Sequence, residues 1–311
     1  MEKLRAIRVW HWIWAVLVAC TASVSYADGY GPIPLTEDAY KILKATYDYD
    51  PEIPLDARLV EVKETESTTL RKIVFRGVRG FLVPARLEIP KGTPTPVPCV
   101  VLTHGWSGSK ENWWEDDNYI SGGNMRKALL EKGFAVFAID AQGHGERMAE
   151  NGYGMVNAYD GPEAPKRKNL FTLREIITQT ALDVRRGLDY LDSRDDIDMD
   201  RIGISGYSMG GFHAVVITAM DPRIKVSVGC VIPVTWREDP ILDPGFYAKG
   251  IGTRPFFMAF GSEDTMCDGT DAKALFGMLE GTDNRLVVID AGHRLPATYV
   301  PDAVDFIASR I

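Results

Sequence analysis

The sequence predicts an α/β fold with a mostly parallel, twisted sheet, antiparallel strands at its N-terminal side, and helices on both faces. Three segments in the first third of the chain alternate apolar and polar residues at period two, which is typical of antiparallel strands. Six later segments are short, nearly continuous apolar runs, which indicates strands that are buried on both faces. Helix-period segments separate or follow these runs, as in a parallel sheet covered by helices.

The predicted elements follow one another with clear breaks between them. The period-two strands are predicted at 58–66, 69–78 and 80–89. A break rich in glycine and proline separates them from the apolar strands, which are predicted at 97–103, 135–140, 201–205, 226–232, 256–260 and 286–289. Helices are predicted at 125–132, 173–191, 210–220, 272–279 and 297–308. Residues just past the carboxyl ends of the parallel strands are the candidates for a functional site.

The first residues differ from the rest of the chain and predict export. Basic residues precede an apolar stretch at 9–20, and small residues at 25–27 fit a signal peptidase site, so residues 1–27 are predicted to be a signal peptide. The apolar stretch is shorter than the roughly 20 residues that a membrane-spanning helix needs. Residues 17–20 also resemble a lipobox, which would leave a lipid anchor on Cys20, and a retained N-terminal anchor is a third alternative. All three predict a periplasmic or secreted location.

Residues 28–58 are predicted to form an extended lead-in with one short helix near 38–47, and residues 59–311 a single domain. The net charge of −8 argues against nucleic acid or an anionic membrane as a partner, because both need a basic face. Three cysteines remain after the signal peptide, and their odd number and wide spacing predict neither a disulfide framework nor a zinc site. They are Cys99, Cys230 and Cys267. The sequence predicts no metal and no cofactor.

The motif Gly206-Tyr207-Ser208-Met209-Gly210 lies between a predicted strand and a predicted helix. A serine in that position must turn the chain sharply, and glycines two positions away on either side remove the Cβ atoms that would clash. The turn lifts the Ser208 hydroxyl clear of the sheet and places it at a helix N-terminus, where the Met209 N–H faces developing negative charge. Ser208 is the predicted nucleophile, and Met209 N–H is the first predicted oxyanion donor.

A serine hydroxyl needs a base to act as a nucleophile at neutral pH. His293 follows the last predicted strand and lies downstream of the nucleophile, in a loop. His11 belongs to the predicted signal peptide, His104 and His144 each precede a glycine at a strand end, and His213 lies on the helix after the nucleophile. His293 is therefore the predicted base.

The acid of a triad fixes the imidazole tautomer and stabilises its cation. Asp264 follows the strand predicted at 256–260 and gives the chain order serine, acid, histidine, which is expected for this architecture. Asp264 is the predicted acid. Other acids remain open for this role: Glu263, Asp268 and Asp271 close by, and Glu238 and Asp239 after an earlier strand.

The loop His104-Gly105-Trp106-Ser107-Gly108 follows the strand predicted at 97–103 and is expected to supply a second oxyanion donor. The small Gly105 lets the backbone approach a substrate, and Trp106 N–H is the predicted donor. Its indole is then expected to wall the acyl or alcohol pocket. The alternative is a turn that merely ends the strand.

Together these motifs resemble the α/β-hydrolase fold family, and within it the dienelactone-hydrolase-like and acetyl-esterase-like members. The resemblance runs from about residue 69 to the C-terminus and includes the run at 140–147 and the pair at 292–293. In that family the D-x-x-G-H-G turn shapes the site without performing chemistry, so the resemblance implies a structural role for His144. Dienelactone hydrolases proper use a cysteine where this chain has Ser208, and that departure favours ester hydrolysis.

The sequence thus predicts an exported serine carboxylesterase that hydrolyses short-chain acyl esters, acetyl esters among them, on a small molecule or carbohydrate. Two alternatives remain open. A serine peptidase or amidase would use the same triad, and a non-catalytic hydrolase-fold protein would keep the fold without turnover. The insertion at 146–169 is expected either to roof the site or to be an ordinary surface loop.

Overall fold

The computed structural model describes residues 35–151, 172–234 and 241–311. The predicted signal peptide with Cys20, the alternative acids Glu238 and Asp239, and most of the insertion at 146–169 lie outside the described residues. Within the described ranges, no helix combines the length and the apolar composition that crossing a membrane requires.

In the described part of the chain, nine strands form one mixed sheet in the order β1-β2-β3-β5-β4-β6-β7-β8-β9. Their bounds are β1 Arg58–Glu64, β2 Thr68–Arg76, β3 Leu82–Pro90, β4 Val97–Thr103, β5 Ala135–Ile139, β6 Ile197–Tyr207, β7 Ile224–Cys230, β8 Phe256–Gly261 and β9 Arg285–Ile289. The pairs β1–β2, β2–β3 and β3–β5 are antiparallel, and all pairs from β5 to β9 are parallel. The predicted mixed sheet, with antiparallel N-terminal strands and a parallel remainder, is confirmed.

The helices connect and cover the parallel strands. Their bounds are α1 Glu37–Ala45, α2 Gly122–Glu131, α3 Arg147–Asn151, α4 Leu173–Asp192, α5 Met209–Met220, α6 Ala248–Ile251, α7 Gly269–Gly277 and α8 Tyr299–Ala308. Short 3₁₀ helices lie at Val78–Gly80, Lys110–Trp113 and Pro244–Tyr247.

The side chains of β4 alternate between two apolar layers, one on each face of the sheet. Val101 lies in the layer that contains residues of α4 and α5, whereas Val100 lies in the layer that contains residues of α2 and α8. All seven residues of β4 are buried. Helices on one face alone would leave every second residue exposed, so the continuous apolar run reflects helices on both faces.

Several strand ends differ by a few residues from the sequence prediction, and two of these differences have a clear local cause. β6 begins at Ile197 rather than at 201, because Ile197 pairs with Val97 ahead of a register shift. The residues at 198–201 are mostly polar and therefore give no apolar signal in the sequence. β7 ends at Cys230 rather than at 232, because Val231 turns out of the sheet with φ of 45°. A β-branched residue rarely adopts such a backbone.

The described part of the lead-in packs against the sheet domain. Thr36 caps α1 by accepting a hydrogen bond from the Ala39 N–H at 3.2 Å. Past this helix the buried Tyr47 places its hydroxyl 2.6 Å from that of the buried Tyr247. This segment therefore contributes to the core.

Candidate active site

The predicted site residues lie at the carboxyl edge of the parallel strands. Trp106 follows β4, Ser208 follows β6, Asp264 follows β8 and His293 follows β9. Parallel strands end at a common edge, so residues far apart in sequence meet there.

The structure brings Ser208, His293 and Asp264 into one chain of hydrogen-bond contacts. His293 Nε2 lies 3.0 Å from Ser208 Oγ, and His293 Nδ1 lies 2.8 Å from Asp264 Oδ2. A ring nitrogen that donates to the carboxylate leaves the other nitrogen free to accept the serine proton. These contacts suit the predicted roles of Ser208 as nucleophile, His293 as base and Asp264 as orienting acid.

Ser208 holds a strained backbone, with φ of 56° and ψ of −120°, directly before α5. Its N–H donates to the Cys230 carbonyl at 2.8 Å, which anchors the turn to β7. A Cβ on Gly206 would lie 2.0 Å from the Gly210 carbonyl oxygen, and one on Gly210 would lie 2.0 Å from the Thr103 carbonyl oxygen. Both glycines are therefore required by close backbone approach, as the sequence motif predicts.

Gly210→Ala is expected to displace the nucleophile turn, because the new Cβ would overlap a backbone oxygen that has no room to move. We expect a loss of unfolding free energy of about 3 kcal/mol or more, in the range of severe overpacking and strain. Urea denaturation measures it. Gly277→Ala at the end of α7 is the matched control, since in the described part of the chain no atom outside its own helix backbone and its chain neighbours lies within 4 Å of the position that its Cβ would take. Equal stability of both variants would contradict the argument.

The Asp264 side chain is fully buried and its second oxygen is also occupied. Asp264 Oδ1 accepts hydrogen bonds from the Met266 N–H at 2.8 Å and the Cys267 N–H at 3.0 Å. Of the nearby acids, Glu263 and Asp268 are exposed, and Asp268 caps α7 through the Thr270 N–H. Asp264 is the acid that contacts His293 in the structure.

Tyr207 anchors the loop that carries His293, a role that the sequence analysis missed. Its hydroxyl donates to the His293 carbonyl at 2.8 Å and accepts from the Leu295 N–H at 2.8 Å. Burial raises the pKa of Tyr207, so the phenol keeps its proton. An aromatic residue beside the motif serine was the only signal in the sequence.

The N–H groups of Met209 and Trp106 are the two oxyanion donors that the sequence predicts. Within the described ranges, neither the Met209 N–H nor the Trp106 N–H donates to a protein acceptor. Met209 is the first residue of α5, where helical N–H groups have no partner inside the helix. Groups of this kind are available to an oxyanion.

His144 joins the Trp106 loop to the loop after β5. Its Nε2 lies 2.5 Å from the Trp106 carbonyl oxygen and its Nδ1 lies 3.0 Å from the Gln142 carbonyl oxygen. The rings of His144 and Trp106 pack edge to face, with their centroids 5.5 Å apart. His144 therefore packs behind Trp106 and does not contact Ser208 in the structure, as the family resemblance implies for this turn.

Buried charges tie the same two loops together. Asp140 accepts from the Lys110 N–H and from Lys110 Nζ, both at 2.8 Å, and from the Glu146 N–H at 3.0 Å. Burial by itself lowers the pKa of Lys110, but Asp140 and Glu146 outweigh it and raise the pKa above its usual value. A buried lysine paired in this way keeps its charge and holds the loop after β4 in place.

The buried histidines near this loop are held neutral. Burial lowers the pKa of His104 to about 4 and that of His213 to about 3. His104 Nε2 accepts from the Ala141 N–H at 2.9 Å, so its proton lies on Nδ1, which donates to the Gly105 carbonyl. His213 Nε2 is buried without a hydrogen-bond partner among the described residues. Neither ring lies in position to serve Ser208.

His213→Leu is expected to reduce the amount by which the free energy of unfolding decreases in acid. His213 is neutral in the folded chain, whereas the unfolded chain binds its proton below the ordinary pKa of 6.5. The free energy of unfolding is therefore unaffected by His213 above pH 6.5. It decreases as the pH falls from 6.5 towards 3, by up to about 1.4 kcal/mol per pH unit for such a group. Urea denaturation of both proteins at several pH values checks this, and identical pH slopes would count against it.

Asp264, Cys267 and His293 form a cluster of three metal-ligating side chains. Their ligand atoms all lie within 4.8 Å of one another. Cys267 is buried, and its thiol donates to the Val231 carbonyl at 3.0 Å. The sequence analysis did not connect Cys267 with the site, because the wide spacing of the cysteines gave no signal.

Comparison with known families finds one matching family model. The model for acetyl xylan esterase (AXE1) matches residues 38–235, which is more than half of the chain. The matched region contains Trp106, Ser208 and Met209 and ends before Asp264 and His293.

Similar proteins include a curated relative and two solved structures. The putative hydrolase YtaP of Bacillus subtilis (strain 168) is 28% identical over 179 residues, which are 56% of this chain and 56% of YtaP, so the chain spans about half the length of this relative. The acetyl xylan esterase from Paenibacillus sp. R4 has a TM-score of 0.69 at 22% identity, over 91% of this chain and 98% of that one. Acetyl xylan esterase 1 from Thermoanaerobacterium sp. JW/SL YS485 has a TM-score of 0.67 at 18% identity, over 90% of this chain and 96% of that one. The structural likenesses support the fold.

Proposed function

The chain belongs to the acetyl xylan esterase family of α/β-hydrolase serine esterases, and from this premise we propose that it hydrolyses short acyl esters, acetyl esters above all. The proposed catalytic residues are Ser208, His293 and Asp264, with the N–H groups of Met209 and Trp106 as oxyanion donors. The observation that carries the proposal is the contact of His293 with both Ser208 Oγ at 3.0 Å and Asp264 Oδ2 at 2.8 Å.

In the proposed first step, Ser208 Oγ attacks the ester carbonyl carbon while His293 Nε2 takes the hydroxyl proton. Asp264 holds the ring and stabilises its positive charge, since its buried carboxylate accepts from Nδ1. The free N–H groups of Met209 and Trp106 bind the oxyanion of the tetrahedral intermediate. His293 then gives its proton to the leaving alcohol, which departs and leaves an acyl-enzyme.

In the proposed second step, water replaces the alcohol. His293 takes a proton from the water as it attacks the acyl carbon, and the same donors bind the second oxyanion. Its collapse releases the acid, and the proton returns to Ser208 Oγ. No metal or cofactor enters these steps, since the serine, the histidine and the acid supply the nucleophile and the proton transfers.

The substrate class is proposed from the family, whose name refers to acetyl groups on xylan. The test compares kcat/KM for p-nitrophenyl acetate, butyrate and octanoate, acetate release from acetylated xylan, and cleavage of peptide p-nitroanilides. We expect the acetate ester to be the best chromogenic substrate and acetylated xylan to release acetate. Anilide cleavage as fast as ester cleavage would overturn the proposal in favour of a peptidase or amidase.

We also propose that the protein is exported, as the basic and apolar residues at 3–20 and the small residues at 25–27 suggest. Residues 59–311 are proposed as the catalytic domain, with the lead-in docked on it. The Tyr47–Tyr247 contact supports this docking. N-terminal sequencing of the protein recovered outside the cytoplasm tests the cleavage site and separates it from lipid attachment at Cys20.

A further inference from the structure

We propose that Asp264, Cys267 and His293 form an inhibitory site for Zn²⁺, which switches the esterase off by capturing its base. The three side chains offer one oxygen, one sulfur and one nitrogen ligand, all within 4.8 Å of one another. Two of them are the proposed acid and base, and the third stands apart from the proposed hydrolysis. The inhibition rests on the proposed function, whereas the binding of the metal does not.

The ligand set selects the metal. Carboxylate, thiolate and imidazole together are typical of Zn²⁺ sites, whereas Mg²⁺ and Ca²⁺ prefer oxygen ligands. Three protein ligands leave a fourth tetrahedral position for water. We therefore expect Zn²⁺ to bind and expect Mg²⁺ and Ca²⁺ not to compete.

The geometry requires small side-chain movements. A tetrahedral Zn²⁺ holds nitrogen, oxygen and sulfur ligands about 3.3–3.6 Å apart. His293 Nδ1 and Asp264 Oδ2 start at 2.8 Å and must separate, and the Cys267 thiol must turn away from the Val231 carbonyl that it contacts at 3.0 Å. The Met266 and Cys267 N–H groups hold the other oxygen of Asp264 and so keep the carboxylate in place. His293 is 19% exposed, which gives the metal a way in from solvent.

Zinc binding moves the ring proton of His293 from Nδ1 to Nε2. In the free enzyme Nδ1 donates to Asp264, and Nε2 faces Ser208 Oγ with its lone pair. A metal on Nδ1 takes that lone-pair position, so the ring proton moves to Nε2. A protonated Nε2 cannot accept the Ser208 proton, and the nucleophile loses its base.

The charges and protons balance as follows. Asp264 enters as a carboxylate, His293 as a neutral imidazole, and Cys267 as a thiolate. The Cys267 thiol donates its proton to the Val231 carbonyl in the free protein, and it releases that proton to solvent when the sulfur binds the metal. No oxidant or reductant is needed.

The test titrates Zn²⁺ against p-nitrophenyl acetate hydrolysis by the full chain and restores activity with a chelator. Wild-type protein is expected to be inhibited by Zn²⁺ but not by Mg²⁺ or Ca²⁺ at the same concentration. Cys267→Ser keeps the backbone N–H that Asp264 needs, and it is expected to raise the half-inhibitory Zn²⁺ concentration about tenfold or more, with inhibition expressed relative to the variant's own rate without metal. Cys99→Ala, at a buried cysteine in β4, is the matched control and is expected to stay as sensitive as wild type.

Cobalt spectroscopy gives a readout that does not depend on turnover. Co²⁺ added to Ser208→Ala protein is expected to give tetrahedral absorption bands and a thiolate-to-metal charge-transfer band, and Cys267→Ala is expected to lack the latter. Equal Zn²⁺ sensitivity of wild type and the Cys267 variants, a zinc-insensitive wild type, or a Co²⁺ spectrum without the thiolate band overturns the site. Full esterase activity of Ser208→Ala would instead overturn the proposed function, and the Co²⁺ spectrum would still decide the metal site.

Discussion

Ser208→Ala is expected to lower kcat for p-nitrophenyl acetate by on the order of 10⁶-fold, the loss found when a triad nucleophile is removed. The hydroxyl lies 3.0 Å from His293 Nε2, and in the proposed mechanism it loses its proton through this contact. Alanine keeps the Cβ and the strained turn, so the fold is expected to survive. Steady-state kinetics measures the loss.

Ser262→Ala is the matched control for that substitution. Ser262 is an exposed serine at the same edge of the sheet, and among the described residues its hydroxyl makes one long side-chain contact, 3.4 Å from Asp290. We expect its activity to match wild type. A fluorophosphonate probe is expected to label wild type and Ser262→Ala but not Ser208→Ala. A labelled and active Ser208→Ala protein would disprove the assigned nucleophile.

Asp264→Asn is expected to lower kcat by about 10⁴-fold while leaving the fold intact. The Met266 and Cys267 N–H groups both donate to one carboxylate oxygen, so an asparagine places its carbonyl oxygen there. Its NH₂ group then faces His293 Nδ1 and donates to it. The ring proton is forced onto Nε2, where it blocks acceptance of the Ser208 proton.

Kinetics together with a control at a neighbouring acid decides this prediction. Glu263→Gln changes an exposed acid one residue away and is expected to leave kcat within about twofold, in line with ordinary surface substitutions. The loss for Asp264→Asn is expected in kcat rather than in KM, since the acid acts on the reaction and not on substrate binding. A change of less than tenfold would show that another group orients His293.

The strands were predictable from the sequence wherever burial decides residue type. All seven residues of β4 are buried by helices on both faces, and the run at 97–103 shows this directly. The start of β6 was not predicted, because Ile197 pairs with β4 but is followed by mostly polar residues at 198–201 that are partly or fully exposed. Backbone pairing stabilises such a segment without an apolar pattern. Helix α6 has only four residues, too few for a helical period to show.

The candidate site was predictable where a motif fixes the local backbone. The glycines around Ser208 and the order of strands directed the search for the base to the loop after β9 and favoured the loop after β8 for the acid, with Glu238 and Asp239 left as alternatives after an earlier strand. The choice of Asp264 over Glu263 depends on which carboxyl group turns inward, and only the packing of the loop shows that. The same packing brings Cys267 beside His293, a contact between residues 26 positions apart that no spacing rule predicts.

Tyr207 links the loop that carries His293 to the strand that precedes Ser208. It is the residue before Ser208, and its hydroxyl donates a hydrogen bond to the His293 carbonyl and accepts one from the Leu295 N–H. The proposed nucleophile and the proposed base are thereby anchored to the same end of β6, and we expect a displacement of this strand to carry both side chains together. We therefore expect the distance between Ser208 Oγ and His293 Nε2 to change little as the strand moves, and heat inactivation to coincide with unfolding of the sheet.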